Sequence, residues 1–370
     1  MNHTSHTTAA GPGIDFVEAV ARLSGGRVLL VGDLRLDETI RGAAERLSPD
    51  APVPVLAIDG EEAIERRPGG TGNVAACLRG LEMEVSVVGL VGDDDAGRHL
   101  TAELEVNGCE VGGVVVDPSR PTTVKRSLVG LAQHRHPQKM FRLDVESRRP
   151  AAEAVVSRLL AAIDARIDGV DCVCLEDYDK GACTEALCQE LVRRCRERDV
   201  PLLVDPASIS DYARYAGATL ITPNRTEAER AMDRPGGLRT DLGMAVEIAA
   251  GLRSRHGFDA VVLTLDRDGA MLAAEDGCVH LPTEAKSVYD VTGAGDMVLA
   301  ALAAAWSHGL HGVEGVRLAN LAAGIEVELT GAQPVPLAEL RRAALHASAA
   351  GIGKTRRLAP LLLELEVLRR

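Results

Sequence analysis

Aromatic side chains are scarce: one Trp, four Tyr and three Phe make up 2% of 370 residues. The core must therefore be aliphatic. The 46% hydrophobic content supplies enough Leu, Val, Ile and Ala for a large one, and excludes a disordered chain. No apolar run reaches the roughly 18 residues a membrane helix needs, so no span and no membrane partner are expected. Cationic excess is also missing. Lys+Arg is 41 against 54 Asp+Glu, a net charge of −13, which argues against a nucleic-acid partner but leaves room for a small anion in a focused pocket. The cysteines (Cys77, Cys109, Cys172, Cys174, Cys183, Cys188, Cys195 and Cys278) form no CxxC pair and read as reduced, buried thiols of a cytoplasmic protein. The opening MNHTSHTTAAGPG has neither a basic start nor an apolar centre, so it reads as a disordered lead-in, taken here as 1–24, rather than a secretory leader.

What is present is an alternation. Apolar, β-rich runs at 27–33, 85–92, 169–177, 200–206, 218–224 and 258–266 are separated by helical stretches such as 94–107 and 181–198. Runs that are apolar without clean alternation, spaced by helices, predict an α/β fold with a mainly parallel sheet covered on both faces. Two stretches, 36–60 and 111–145, read as extended without intervening helices. They are expected to pair into a small separate β sheet, a lid over the strand ends where open α/β folds bind ligands. After Asp290 the chain turns helical, with helices expected near 294–308, 313–328 and 336–347 and a helical tail over 347–370.

Two glycine-bearing strings carry chemistry. YDVTGAGDMVLAALAAAW (289–306) sets Gly293-Ala294-Gly295 and Asp296 ahead of a long Ala/Leu helix. Glycines before a helix let backbone N–H groups approach an anion, and the helix N-terminus adds positive potential. Asp296 suits a helix cap or a general base beside the anion. RRPGGTGNVAACL (66–78) places Gly69, Gly70 and Asn73 before an Ala-rich helix, either as an ordinary capped turn or as a close approach to a ligand. AAGIGKT (349–355) imitates the end of a phosphate loop, but Ser348 occupies the required glycine position and no strand precedes it.

Together these strings resemble the ribokinase/PfkB family of carbohydrate kinases: GG-x-x-N matches its first signature and DVTGAGD its second. The local strings VGDLRLD (31–37), SPDAPVPVL (48–56), ERRPGGTGNVA (65–75), FRLDVE (141–146), EDYDKGA (176–182), TPNRTEAE (222–229) and VYDVTGAGD (288–296) resemble most closely the D-glycero-β-D-manno-heptose 7-phosphate kinases. The resemblance implies a ribokinase-like three-layer αβα sandwich with a small β lid over 25–346, using ATP and Mg²⁺. Nothing similar to the HxGH motif of the nucleotidyltransferase fused to many relatives follows residue 340, so the stand-alone kinase is the expectation.

The resemblance also implies roles. Asp296 would take the proton of the anomeric hydroxyl, while the N–H groups of Gly293, Ala294 and Gly295 would stabilise the transferring phosphoryl. Asp33, Asp37, Gly69, Gly70 and Asn73 would hold the sugar. Arg142 and Lys180, with Arg67 as a lesser candidate, would hold its 7-phosphate. Asn224, Arg225, Thr226, Glu227, Thr264, Gly269, Thr292 and Asn320 would line the nucleotide site, and Glu227 would act on Mg²⁺ through water. The family's lid-to-lid pairing implies a homodimer. Two departures stand out: Ala207 follows Asp205-Pro206 where relatives carry Lys, and Glu38 and Thr39 follow Asp37 where relatives carry aromatics. They leave open a PfkB-type kinase of another sugar or sugar phosphate. A sugar-phosphate-binding regulator without catalysis is the remaining alternative, and the retained Asp296 argues against it.

Overall fold

The computed structural model describes residues 7–8, 16–131, 136–234, 241–283, 293–329 and 333–349. Its larger sheet has ten strands in the order Thr7–Thr8, Gly277–Leu281, Ala270–Ala274, Ala260–Thr264, Leu220–Ile221, Leu202–Asp205, Cys172–Glu176, Arg27–Gly32, Glu84–Val91 and Glu110–Val116. Only Ala270–Ala274 runs antiparallel to its neighbours. Each central strand is buried on both faces, which explains its unbroken apolar run. Val28 and Leu30 point into one core, Leu29 and Val31 into the other, and Cys172 and Cys174 divide from Val173 and Leu175 in the same way. Helices cover both faces, so the fold is the expected ribokinase-like three-layer αβα arrangement. The helix Ala294–Ser307 is buried from Asp296 to Ala305, which accounts for its Ala/Leu composition all round.

The second sheet is the lid. It has five strands: Pro54–Ala57, Leu34–Leu47, Thr123–Leu131 and Gln138–Val145 in order, with Ile64–Gly70 also pairing Leu34–Leu47. The long strand Leu34–Leu47 is the direct continuation of Arg27–Gly32, with Asp33 at the joint. That joint lies where the chain switches to opposite sides of the first main strand, the customary ligand position of an open α/β sheet.

The lid's bounds differ from expectation. Residues 111–116 belong to Glu110–Val116, the edge of the main sheet, because their run of valines pairs parallel with Glu84–Val91. The lid gains Ile64–Gly70 instead. The amino-terminal stretch also departs from disorder: Phe16–Arg22 is helical, and Val17, Val20 and Leu23 are fully buried. The last described helix is Leu337–Ala349, and the tail beyond it lies outside the described residues. Seven cysteines are buried and Cys278 is partly so; all are free thiols. No described helix is long and apolar enough to cross a membrane.

Candidate active site

Gly293 caps the helix Ala294–Ser307 with φ of 99°, a conformation that favours glycine. The amides behind it sit in the first helical turn, where geometry supplies no intrahelical acceptor. Among the described residues none of the N–H groups of Gly293, Ala294 and Gly295 donates to a protein oxygen. Gly295 is exposed, whereas Asp296 is 7% exposed. This puts amides that no described residue occupies beside a buried carboxylate.

Both oxygens of Asp296 are held. Asn73 Nδ2 donates to Oδ2 at 2.6 Å and Tyr178 Oη donates to Oδ1 at 2.9 Å. Burial raises this carboxyl above its ordinary range, against the pull of those two hydrogen bonds and of the Arg35 charge. Asn73 does not cap its helix: Thr71–Gly80 begins two residues earlier, which frees the amide to reach Asp296. Tyr178 comes from the loop after Cys172–Glu176, and the Arg35 guanidinium lies over its ring, 5.0 Å from the centroid. Arg35 also pairs with Asp37 through Nε at 2.6 Å and Nη2 at 3.2 Å. Gly69 is glycine because the Asp37 carboxylate occupies the space of its Cβ, 2.5 Å away. A Cβ on Gly70 would likewise press on the Tyr178 ring. Asp37, Gly69, Gly70, Asn73 and Asp296 thus converge with Arg35 and Tyr178.

Asp33 has a different place. Its carboxylate accepts from the backbone N–H groups of Tyr178 (2.9 Å), Lys180 (2.9 Å) and Ala182 (3.0 Å) and is 3% exposed. It anchors the loop that carries Tyr178 instead of facing the cleft as a free sugar ligand. Burial and the neighbouring Asp177 push it up to about 7, opposed by the three amides. Lys180 pairs with Glu146 at 2.5 Å, and Arg142 forms a two-point pair with Asp144 at 2.7 and 2.6 Å, so both expected phosphate ligands have acidic partners. Arg67 pairs with Glu65.

On the nucleotide side, Asn224 and Glu227 form a reciprocal capping box. Asn224 Oδ1 accepts from the Glu227 N–H at 3.0 Å, and Glu227 Oε2 accepts from the Asn224 N–H at 2.9 Å. The backbone of Asn224 bridges Thr264. Thr226 is exposed on the first helical turn. Arg225 clamps the next turn, donating to Asp266 at 2.9 Å and to the Leu265 carbonyl at 2.6 Å. Asn320 donates to the Leu281 carbonyl at 3.0 Å. Gly269 has φ of 86°, and a Cβ there would lie 2.1 Å from the Leu281 carbonyl oxygen, so it serves a close strand crossing. Thr292, with Asp290 and Val291 of the signature, lies outside the described residues.

Sequence reasoning missed a carboxylate cluster. Glu176, Asp205 and Asp296 each bring an oxygen within 4.8 Å of the others. Burial raises Glu176 and Asp205 well above their ordinary values, and repulsion adds to it, from Asp205 and Asp296 on Glu176 and from Asp296 on Asp205. Glu227, also raised by burial, adds its charge to both. The signal was available: Glu176 and Asp205 each end a parallel strand, at the edge where ligands bind. Glu38 is 6% exposed and spans Arg66 and Arg126 on the lid face opposite Asp37, and Ala207 is buried.

A mainly parallel three-layer sheet with a β lid over a glycine-headed helix and a buried aspartate defines a class of small-molecule phosphotransferases. Comparison with known proteins narrows the class. Residues 55–339 match the pfkB family carbohydrate kinases. The chain is 42% identical over 317 residues to bifunctional protein HldE of Paramagnetospirillum magneticum, covering 85% of this chain and 62% of that one. It is 41% identical over 315 residues to bifunctional protein HldE of Geobacter sulfurreducens, covering 84% and 61%. The chain therefore spans about three fifths of the length of these relatives. Phosphofructokinase-2 from Escherichia coli superposes with a TM-score of 0.70 at 16% identity, covering 88% of this chain and 99% of that one. Arabidopsis thaliana ribokinase, solved with ribose and ATP, superposes with a TM-score of 0.64 at 18% identity, covering 86% and 99%. The chain belongs to the pfkB family of carbohydrate kinases.

Proposed function

We propose that this kinase phosphorylates the anomeric hydroxyl of D-glycero-β-D-manno-heptose 7-phosphate, giving the 1,7-bisphosphate and ADP. The observation that carries the reading is the buried Asp296 carboxylate, held by Asn73 and Tyr178 beside the amides of Gly293, Ala294 and Gly295, which no described residue occupies. Asp296 accepts the proton of the attacking hydroxyl. The hydroxyl oxygen forms its bond to the γ-phosphorus of ATP as the bond to the β,γ-bridging oxygen breaks, and ADP leaves with that oxygen. The three amides receive the charge of the phosphoryl in flight. Asn73 and Tyr178 keep the carboxylate aimed and its lone pairs ordered. The local strings that resemble heptose 7-phosphate kinases, and the likeness to proteins named HldE, support the choice of sugar.

The donor set suits Mg²⁺. It consists of oxygens alone, and Glu176 Oε2 is buried with no hydrogen-bond partner, an orphan that a cation would satisfy. Glu176 and Asp205 would hold the ion, with Glu227 acting through water. When bound it supplies charge neutralisation to the triphosphate. The same reading takes the protein as a cytoplasmic homodimer paired through the lid, whose face opposite Asp37 exposes Phe141 and Leu143. The departures at Ala207 and Glu38 favour keeping a second reading, a kinase of another sugar or sugar phosphate.

The test is an ADP-release assay over a panel of sugars and sugar phosphates, with the product phosphate located by NMR. The reading holds if the heptose 7-phosphate turns over far better than fructose 6-phosphate or ribose and gains phosphate at C1. A better substrate elsewhere in the panel overturns the sugar, and binding without ADP release overturns the reaction.

A further inference from the structure

On the inner face of the lid, Lys125 has no partner among the described residues. Lys125 lies mid-strand in Thr123–Leu131, between Asp37 of Leu34–Leu47 and Asp144 of Gln138–Val145. Residues paired across strands point to one face, so Lys125 shares its face with Asp37 and, one step away, with Arg35. That face looks toward the reaction centre, because Arg35 lies over the Tyr178 ring and Tyr178 donates to Asp296. Both acids beside Lys125 are engaged by arginines, Asp37 by Arg35 and Asp144 by Arg142. Among the described residues Lys125 makes no hydrogen bond and no ion pair, although it is half-buried.

Its neighbours make this arrangement costly without an anion. Burial, with repulsion from Arg35, Arg142 and Lys139, holds the ammonium below the ordinary lysine range even against the attraction of Asp37. A dianion on this face would meet the Lys125 ammonium and the charge of three more cations. Lys180 and Arg142, by contrast, each need an acid displaced before they can bind phosphate fully.

We propose that Lys125 anchors the phosphate at the far end of the acceptor and makes the enzyme select phosphorylated over free sugars. This rests on the reading of the acceptor as a sugar phosphate. Lys125 stands one same-face step along the lid from the row of Arg35, about 7 Å by strand rise, so an acceptor with C1 at Asp296 would extend its distal end along the lid toward it. The lid strand then measures the length of the acceptor, and the ammonium reads its charge.

The experiment is steady-state kinetics of wild type, Lys125→Met and Lys125→Arg with D-glycero-D-manno-heptose 7-phosphate and with the unphosphorylated heptose. Loss of a charge-assisted contact is expected to raise the KM of Lys125→Met for the phosphorylated sugar about 10- to 100-fold. Its KM for ATP and for the free sugar should stay within about threefold of wild type, so the preference for the phosphorylated sugar collapses. Lys125→Arg should recover most of the affinity, and it gives the reading even if the Met variant folds poorly. An unchanged KM in Lys125→Met, in an enzyme that still prefers the phosphorylated sugar, overturns the role of Lys125 and leaves the acceptor intact. A wild type that does not prefer the phosphorylated sugar overturns the acceptor reading itself, and the anchor with it.

Discussion

The phenol of Tyr178 donates to Asp296 Oδ1 at 2.9 Å while its ring lies beneath the Arg35 guanidinium, so the lid reaches the carboxylate through a single side chain. The hydroxyl lowers an acid that burial raises. Tyr178→Phe should therefore let the Asp296 carboxyl rise further. The base works only when ionised, so the acid limb of the kcat profile should move to higher pH. On the alkaline plateau kcat should stay within about tenfold of wild type, since the proton acceptor is intact. A limb that does not move removes Tyr178 from this role.

Asp296→Asn removes the acceptor and keeps the shape. We expect kcat to fall by roughly three orders of magnitude, with the KM for ATP little changed. A near-normal kcat in the coupled ADP-release assay would falsify the assignment of the base.

Glu227 has two roles that one substitution separates. Its carboxylate closes the capping box on Asn224, which Gln can also do. Glu227→Gln should keep Tm within about 2 °C. The Mg²⁺ concentration for half-maximal activity should rise about tenfold, because a charge near the ion is lost. Asn224→Ala should instead cost about 1 kcal/mol of stability through the lost cap. Equal effects of Glu227→Gln on Tm and on Mg²⁺ dependence would mean that the residue is structural alone.

The raised Asp33 predicts an unusual dependence of stability on pH. The group titrates near 7 in the folded chain against an ordinary 3.8, so the folded state holds its proton more tightly. Its contribution is full at low pH and is lost as pH rises through 7. Asp177, raised by burial, acts in the same sense. His256, which burial holds below its ordinary 6.5, opposes the trend only at more acid pH. Unfolding followed in urea without divalent ions should therefore show greater stability at pH 6.5 than at pH 8. The opposite slope would mean that the three amides around Asp33 prevail over burial.

Gly269→Ala distinguishes a strand crossing from a phosphate contact. A methyl group 2.1 Å from the Leu281 carbonyl, on a residue with φ of 86°, should cost on the order of 1–3 kcal/mol and lower Tm by several degrees. The KM for ATP of the folded fraction should be unchanged. A normal Tm with a raised KM for ATP would place Gly269 at the nucleotide.

The parts legible in sequence are those whose chemistry is local. A glycine bend feeding a buried Ala/Leu helix needs no distant partner to be recognised, and Gly293 to Asp296 occupy the expected place. Unbroken apolar runs announce strands buried on both faces, as Val28–Val31 and Cys172–Leu175 are. The valines of 111–116 misled because pairing with a neighbour, not composition, assigns a strand to one sheet or the other. Asp33 misled for a similar reason: a carboxylate past a strand can meet a sugar or three amides, and only the path of the 177–182 loop decides.

By itself the sequence determined the layered α/β scaffold and the glycine-headed helix, because hydrophobic periodicity and backbone geometry act over a few residues. Tertiary structure alone decided which side chains meet. Asn73 reaches Asp296 across 223 positions, Glu176 and Asp205 converge on it from neighbouring strands, and the lid register sets Lys125 between two acids that arginines already engage. Sheet order and strand register bring distant residues together, and neither is encoded in any short run of the chain.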